Sequence, residues 1–195
     1  MSDAAPHVVG IGGTTRPGSS TEKALRFALA RCEEHGATTA IFSGIEIARL
    51  PHYAPELPDR TEGALRMLEE IRRADGVIIA SPGYHGSVSG LVKNALDYTE
   101  DLREDQRCYL SGMPVGLIVT GAGWQGTVTT LEALRSIVHS LRGWPTPMGV
   151  AINSTLPVFG PDGDVVEEKA RFQLTTMAAE VMGFVRVHRA GLQLA

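Results

Sequence analysis

Short, uniformly apolar runs alternate along the chain with longer stretches in which apolar residues recur every three or four positions. Residues 7–11 (HVVGI), 38–43 (TTAIFS), 76–81 (GVIIAS), 115–120 (VGLIVT) and 147–152 predict strands. The third is apolar throughout, as a strand covered on both faces is. Between them, residues 19–35 predict a helix with Ala24, Leu25, Ala28, Leu29 and Cys32 on one stripe and Gly36 as its stop. A second helix opens at Thr61 with Ala64, Leu65, Leu68 and Ile71 inward, and a third spans 90–102. A fourth spans 127–141 with Leu131, Leu134, Val138 and Leu141 inward. The last, 166–184, buries Ala170, Leu174, Met177 and Val181. Residues 50–59, with three prolines, and the Pro/Gly-rich 153–164 predict loops, and Pro82 predicts the end of the third strand.

Five strand–helix units in succession predict an α/β fold, a doubly wound five-stranded parallel sheet with helices on both faces, in one domain over residues 1–195. In such a sheet ligands bind beyond the carboxyl ends of the strands, where strand order reverses. The loops after the first, third and fourth strands are therefore where chemistry is expected.

Composition narrows the classes. A net charge of −4 gives no basic field for nucleic acid. Cys32 and Cys108 form no C-x-x-C, which argues against a disulfide framework or a thiolate metal site, and no His/Glu spacing suggests a metal. The polar first seven residues do not read as a signal peptide, and no apolar run reaches the ~20 residues that span a bilayer. The expected setting is the cytoplasm. The 22 glycines predict loops shaped by backbone.

The first loop, GGTTRPGSST, carries the hydroxyls of Thr14, Thr15, Ser19, Ser20 and Thr21 and the guanidinium of Arg16, and feeds a helix. A helix amino terminus offers free N–H groups and a partial positive charge to an anion. The dinucleotide pattern G-x-G-x-x-G fails at Thr15, and the P-loop pattern fails because Ser19 replaces the lysine. One phosphate monoester suits the loop; the plainer alternative is a Ser/Thr helix cap. The second loop, SPGYHGSVSG, sets Tyr84 and His85 among small residues, as a flat ligand's close approach requires. It fits equally an ordinary turn capped by Ser89 or Gly90. It is not a nucleophile elbow, since Val88 stands where the serine would be, and no Ser-His-acid order suggests a hydrolase. In the third loop, TGAGWQGT, Trp124 reads as a packing residue or as a lid.

The stretch Pro82-Gly-Tyr84-His-Gly-Ser87-Val-Ser-Gly90-Leu-Val-Lys93-Asn94-Ala-Leu-Asp97-Tyr98 resembles the signature of the NADPH-dependent FMN reductase family, the flavodoxin-like flavin, quinone and azo reductases. Arg16 and Ser19 resemble that family's phosphate loop. Departures are Thr14 for serine, Ser89 for proline, Val92 for leucine, and His85 where asparagine or lysine is frequent. The resemblance implies an enzyme with FMN and NAD(P)H as cofactors. Hydride from NAD(P)H reaches flavin N5, and the electrons pass to free flavin, a quinone or a similar small acceptor. It implies that Thr14, Arg16, Ser19, Ser20 and Thr21 take the phosphate. Pro82, Gly83, Tyr84, His85, Gly86 and Ser87 line one edge of the ring, and Gly121, Ala122, Gly123 and Trp124 the other. No side chain is assigned as general acid or base, because the cofactor carries the chemistry. It also implies a homodimer or homotetramer with the helix after the second loop at the interface, and a flavin-dependent monooxygenase as one partner. Lys93 and Asp97, four apart on that helix, read as a salt bridge. The competing reading is a flavodoxin-type electron carrier that binds FMN without turnover.

Overall fold

The computed structural model describes residues 4–192. The elements in chain order are β1 (His7–Gly12), α1 (Ser20–Glu34), β2 (Thr38–Ser43), α2 (Gly44–Ile47), α3 (Glu62–Arg73), β3 (Gly76–Tyr84), β4 (Ser87–Val88), α4 (Gly90–Asp97), a 3-10 turn (Tyr98–Leu102), β5 (Pro114–Gly121), α5 (Trp124–Ser140), β6 (Trp144–Asn153) and α6 (Glu168–Leu192). The sheet order is β2-β1-β3-β5-β6, and these five strands are all parallel. This is the doubly wound, flavodoxin-like arrangement, with the order reversing between β1 and β3. The two-residue β4 is added as an antiparallel hairpin on the end of β3.

Alternation along the strands divides the core in two. Val9, Ile11, Val77, Ile79, Leu117 and Val119 face α3, α4 and α5. Val8, Ile78, Ala80, Ile118, Val150 and Ile152 face α1 and α6. The expected stripes of α1 and α6 are buried. In α3 the buried set is Ala64, Met67, Leu68 and Ile71; Leu65, expected inward, is exposed because it lies about 100° around the helix from Ala64. Some of the glycines expected in loops sit instead inside strands. A Cβ at Gly116 would lie 2.1 Å from Met177 Sδ, so α6 packs on the sheet only because that position has no side chain.

Other boundaries differ from the pattern for identifiable reasons. β3 does not end at Pro82 but pairs with Thr120 of β5 there. Ala80 O accepts from Gly13 N–H on the β1 side, and two residues on the proline nitrogen points the same way, past the end of β1, where no donor is needed. The expected 90–102 helix tightens into the 3-10 turn after Asp97. β6 starts at Trp144, three residues before the expected start, and α6 runs to Leu192. β6 is an edge strand that breaks register with β5 between Pro145 and Gly149, and side chains from α5 and α6 hold the backbone of that irregular stretch. Arg135 donates to Thr146 O and Pro147 O (2.9 and 3.0 Å), and Glu180 accepts from Met148 N–H (2.8 Å).

The proline-rich segment before α3 is held by one arginine. Arg60 makes a bidentate pair with Asp101 (2.6 and 2.9 Å), donates to Ala54 O and Leu57 O, and lies against the rings of Tyr53 and Tyr98. Asn94 completes the clamp, accepting from Tyr53 N–H and donating to Pro51 O. The hydrogen bonds from Arg60, ahead of the opposing effect of burial, hold the Asp101 carboxyl below the usual carboxylate range. A depressed folded-state pKa gives stability that is full above the unfolded pKa and is lost as pH falls through the folded one. Asp101→Asn is expected to cost about 1–2 kcal/mol at pH 7, allowing for solvent screening, with the gap to the parent closing toward pH 3. Urea unfolding at both pH values checks this; an equal gap at the two would exclude a charge effect.

Candidate functional site

The carboxyl ends of β1, β3 and β5 bring the three loops together. Gly12 leaves β1 at φ 137°, and a Cβ there would lie 1.8 Å from Ala80 O, so the first loop crosses β3 with no side chain at the crossing. Gly13 N–H then donates to Ala80 O (3.2 Å). On the other side of β3, Pro82 pairs with Thr120, the residue before the third loop. Thr21 Oγ1 in α1 lies 2.6 Å from Thr120 Oγ1, both buried, and this hydroxyl pair joins the first helix to the end of β5 beneath the cleft.

The five hydroxyls of the first loop therefore do different jobs. Ser19 is the helix cap, accepting from Glu22 N–H (3.3 Å), and is buried. Thr21 is engaged with Thr120. Thr14 Oγ1 closes a local turn on the Arg16 backbone (3.2 Å). Glu22 turns back to accept from Gly18 N–H (3.2 Å) and is neutralised by Arg26 (2.7 Å). Left without a partner among the described residues are the Arg16 guanidinium and Thr15 hydroxyl, both on exposed residues, the hydroxyl of the half-buried Ser20, and the N–H groups of Ser20 and Thr21. The cap expected of a Ser/Thr helix start is Ser19, and the open donors of the loop lie on other residues.

In the second loop Gly83 pairs with Val88 and Tyr84 with Ser87, leaving His85 (φ 52°) and Gly86 (φ 80°) as a two-residue turn with both φ positive. This is the turn type that suits the twist of a tight hairpin. The small residues here serve the turn and the helix behind it. Gly86 supplies the left-handed conformation, and a Cβ at Gly83 would lie 2.8 Å from Thr130 Oγ1 of α5. Ser81 Oγ accepts from Ser89 N–H (3.0 Å) and donates to Pro82 O (2.8 Å), fixing the hairpin to the start of α4. Ser89 caps that helix. Tyr84 and His85 stand exposed at the hairpin tip.

The third loop is shorter than the pattern suggested, since α5 opens at Trp124, with Gly123 as an N-cap that has no side chain. A second helix amino terminus therefore joins that of α1 at the same end of the sheet. Trp124 is 48% exposed; the Lys169 ammonium lies 5.5 Å from its ring centroid, and the indole lines a small cavity with Ile152, Asn153 and Leu156. It rests on the β6–α6 side of its own chain. The buried Cys32 thiol, pushed up to about 12 by burial and then by Glu33, is outside this chemistry. Among the described residues no group of three His, Cys, Asp or Glu could hold a metal ion, and no helix is long and apolar enough to cross a membrane.

The inward role of Thr21 has a measurable consequence. Thr21→Val leaves a buried hydroxyl unpaired and is expected to cost about 1–2 kcal/mol, while Thr21→Val with Thr120→Val recovers most of the loss. Denaturant midpoints of the two single variants and the double variant test the coupling; additive losses would show that the hydroxyls do not share a bond.

Sequence elements missed from the pattern alone now have signals. The start of α5 lacks a polar cap, and the continuation of β3 through proline depends on where β1 stops. Comparison with known proteins adds the family. Residues 6–156 match the family model described as NADPH-dependent FMN reductase. An NAD(P)H-dependent FMN reductase of Pseudomonas aeruginosa is 32% identical over 84% of this chain and 86% of its own length. An FMN-dependent NADPH-azoreductase of Staphylococcus saprophyticus is 31% identical over 90% of this chain and 93% of its own. Among solved structures, the flavoenzyme NAD(P)H:(acceptor) oxidoreductase FerB of Paracoccus denitrificans superposes with a TM-score of 0.77 at 25% identity, covering 94% of this chain and 98% of its own. With a family model matched over most of the chain and relatives aligned over most of their length, this chain belongs to the NADPH-dependent FMN reductase family.

Proposed function

We propose that this protein is an FMN-dependent oxidoreductase that oxidises NAD(P)H and reduces a small acceptor such as free flavin, a quinone or an azo compound. The observation that carries the site assignment is the unpartnered donor set at the start of α1, beside the exposed hairpin at the β1/β3 switch point. Arg16, the hydroxyls of Thr15 and Ser20 and the first N–H groups of α1 hold the phosphate, with Thr14 shaping the turn over it. Ser19 and Thr21 act from beneath, keeping the helix end and β5 in register. The segment from Pro82 to Ser87 lines one edge of the flavin ring, and Gly121, Ala122, Gly123 and Trp124 the other. Bound FMN supplies the hydride-accepting N5 and the electrons for the acceptor. The protein's own part is placement. The free N–H groups at the start of α5 favour negative charge on the ring edge they face, and Tyr84 and His85 stand at the mouth where an acceptor enters.

We further propose assembly through α4, whose exposed Lys93–Asp97 pair (2.5 Å) lies on the outer surface, giving a homodimer or homotetramer. A flavin-dependent monooxygenase taking reduced flavin is a partner consistent with that chemistry. Sedimentation velocity tests the first, and coupled turnover with an added monooxygenase the second.

The decisive experiment is purification followed by anaerobic titration with NADH and NADPH. Bound yellow FMN that bleaches with stoichiometric nicotinamide oxidation supports the assignment; FMN that binds without bleaching would make the protein an electron carrier. Because the first loop presents one free cation and one helix end, FMN is expected to bind at least about tenfold tighter than FAD, about 1.4 kcal/mol. Flavin fluorescence quenching with apoprotein checks it, and equal affinities would refute the single-phosphate reading. Ser20→Asp places a carboxylate at the helix end and is expected to weaken FMN far more than riboflavin. Equal losses for the two ligands would remove Ser20 from the phosphate site.

A further inference from the structure

A separate cavity of about 340 Å³ opens at the carboxyl end of β2, between α2 and the first turn of α3. Its walls are Phe42, Ile47, Leu50 and Met67, with Phe42, Ile47 and Met67 buried. We propose that it is a second small-molecule site, for a flat aromatic compound carrying one carboxylate or sulfonate. It stands apart from the flavin assignment.

Size restricts the occupant first. About 340 Å³ is at the lower end of ligand-site volumes, enough for a fused ring pair and too little for a dinucleotide. The lining restricts it next. The Arg66 guanidinium covers the Phe42 ring at 4.7 Å and pairs with Glu46 (2.5 Å), and Glu46 also accepts from Ser43 N–H and Oγ (2.9 Å each). Burial acts to raise the Glu46 pKa, but these hydrogen bonds outweigh it and hold the carboxylate ionised below its usual range. The polar groups inside the cavity are thus already satisfied among themselves, and its remaining surface suits an apolar ring.

The rim supplies the charge preference. Arg49 lines the opening and has no hydrogen-bond or ion-pair partner for its side chain among the described residues. It stands beside the amino end of the 12-residue α3, where Thr61 caps Ala64 N–H and the N–H groups of Glu62 and Gly63 remain open. An acidic group on the ligand completes both. Glu62, exposed on the same rim, is the opposing charge.

The helical Gly63 makes the site testable, because a Cβ there would meet only Leu50 Cδ2, at 3.9 Å. A larger side chain starts from the cavity wall beside Leu50 without displacing backbone, and replacing glycine in a helix does not disfavour the fold. The probe is 1-anilinonaphthalene-8-sulfonate, titrated by its fluorescence into FMN-loaded protein, with the neutral 1-anilinonaphthalene as control. Saturable binding is expected at one site. Gly63→Trp, and Gly63→Leu as the milder filling, should remove it; Arg49→Glu should weaken the sulfonate about tenfold and the neutral probe much less, while Glu62→Gln tightens the sulfonate. FMN content stays unchanged in every variant. Binding that survives both Gly63 variants, or that is lost when FMN is loaded, overturns the proposal. So does equal loss of both probes in Arg49→Glu. The Gly63 and Arg49 effects are read as differences from the parent, in FMN-loaded protein or, where no FMN binds, in the protein alone, so failure of the flavin assignment and failure of this site are distinguishable.

Discussion

The absence of a side chain at Gly12 is the constraint on which the site depends. With Ala80 O 1.8 Å from where a Cβ would be, the chain leaving β1 can pass over the end of β3 only as glycine. That passage sets the direction of α1 and aims its free N–H groups at the switch point. It also frees the β1 side of β3, where Pro82 can stay in the strand and carry the hairpin outward. The first two loops are therefore consequences of one close approach.

The candidate site separates engaged hydroxyls from open ones. Ser19, Thr21 and Ser81 look from the sequence like the same resource as Ser20, yet each is engaged by a backbone or hydroxyl partner. A buried hydroxyl without a partner is costly, so these three are the rigid base, and the donors above them are left open. Placing the charge-bearing groups over satisfied ones lets the protein supply position while the cofactor supplies reactivity.

Much of the fold was legible in the pattern of apolar positions, because both faces of the sheet are covered and each helix has one buried stripe. Five parallel strands and the stripes of α1 and α6 follow from that alone. The candidate site was legible as three loops and a family signature. What escaped was set by neighbours distant in sequence. Nothing local marks Thr21 as the partner of Thr120, 99 residues away. Nothing local shows that Gly116 makes room for Met177, or that Trp124 begins a helix capped by a bare glycine. Arg60 looks like a surface cation until Asp101 and two tyrosines meet it.

The guarded rim of β6 makes the two edges of the sheet unequal. Pro145 and Pro147 offer no N–H, and Arg135 and Glu180 already hold the backbone groups of Thr146, Pro147 and Met148, where β6 leaves register with β5. A second chain cannot pair with that stretch without first stripping two charged side chains from their bonds. The opposite edge, β2, is six residues long and ends at the α2 turn, which limits the ladder it could template. Strand addition is thus opposed along the first half of β6 by prolines and bonded side chains, and along β2 by its short length. In a partly unfolded molecule, β2 would be the first edge to recruit a neighbour.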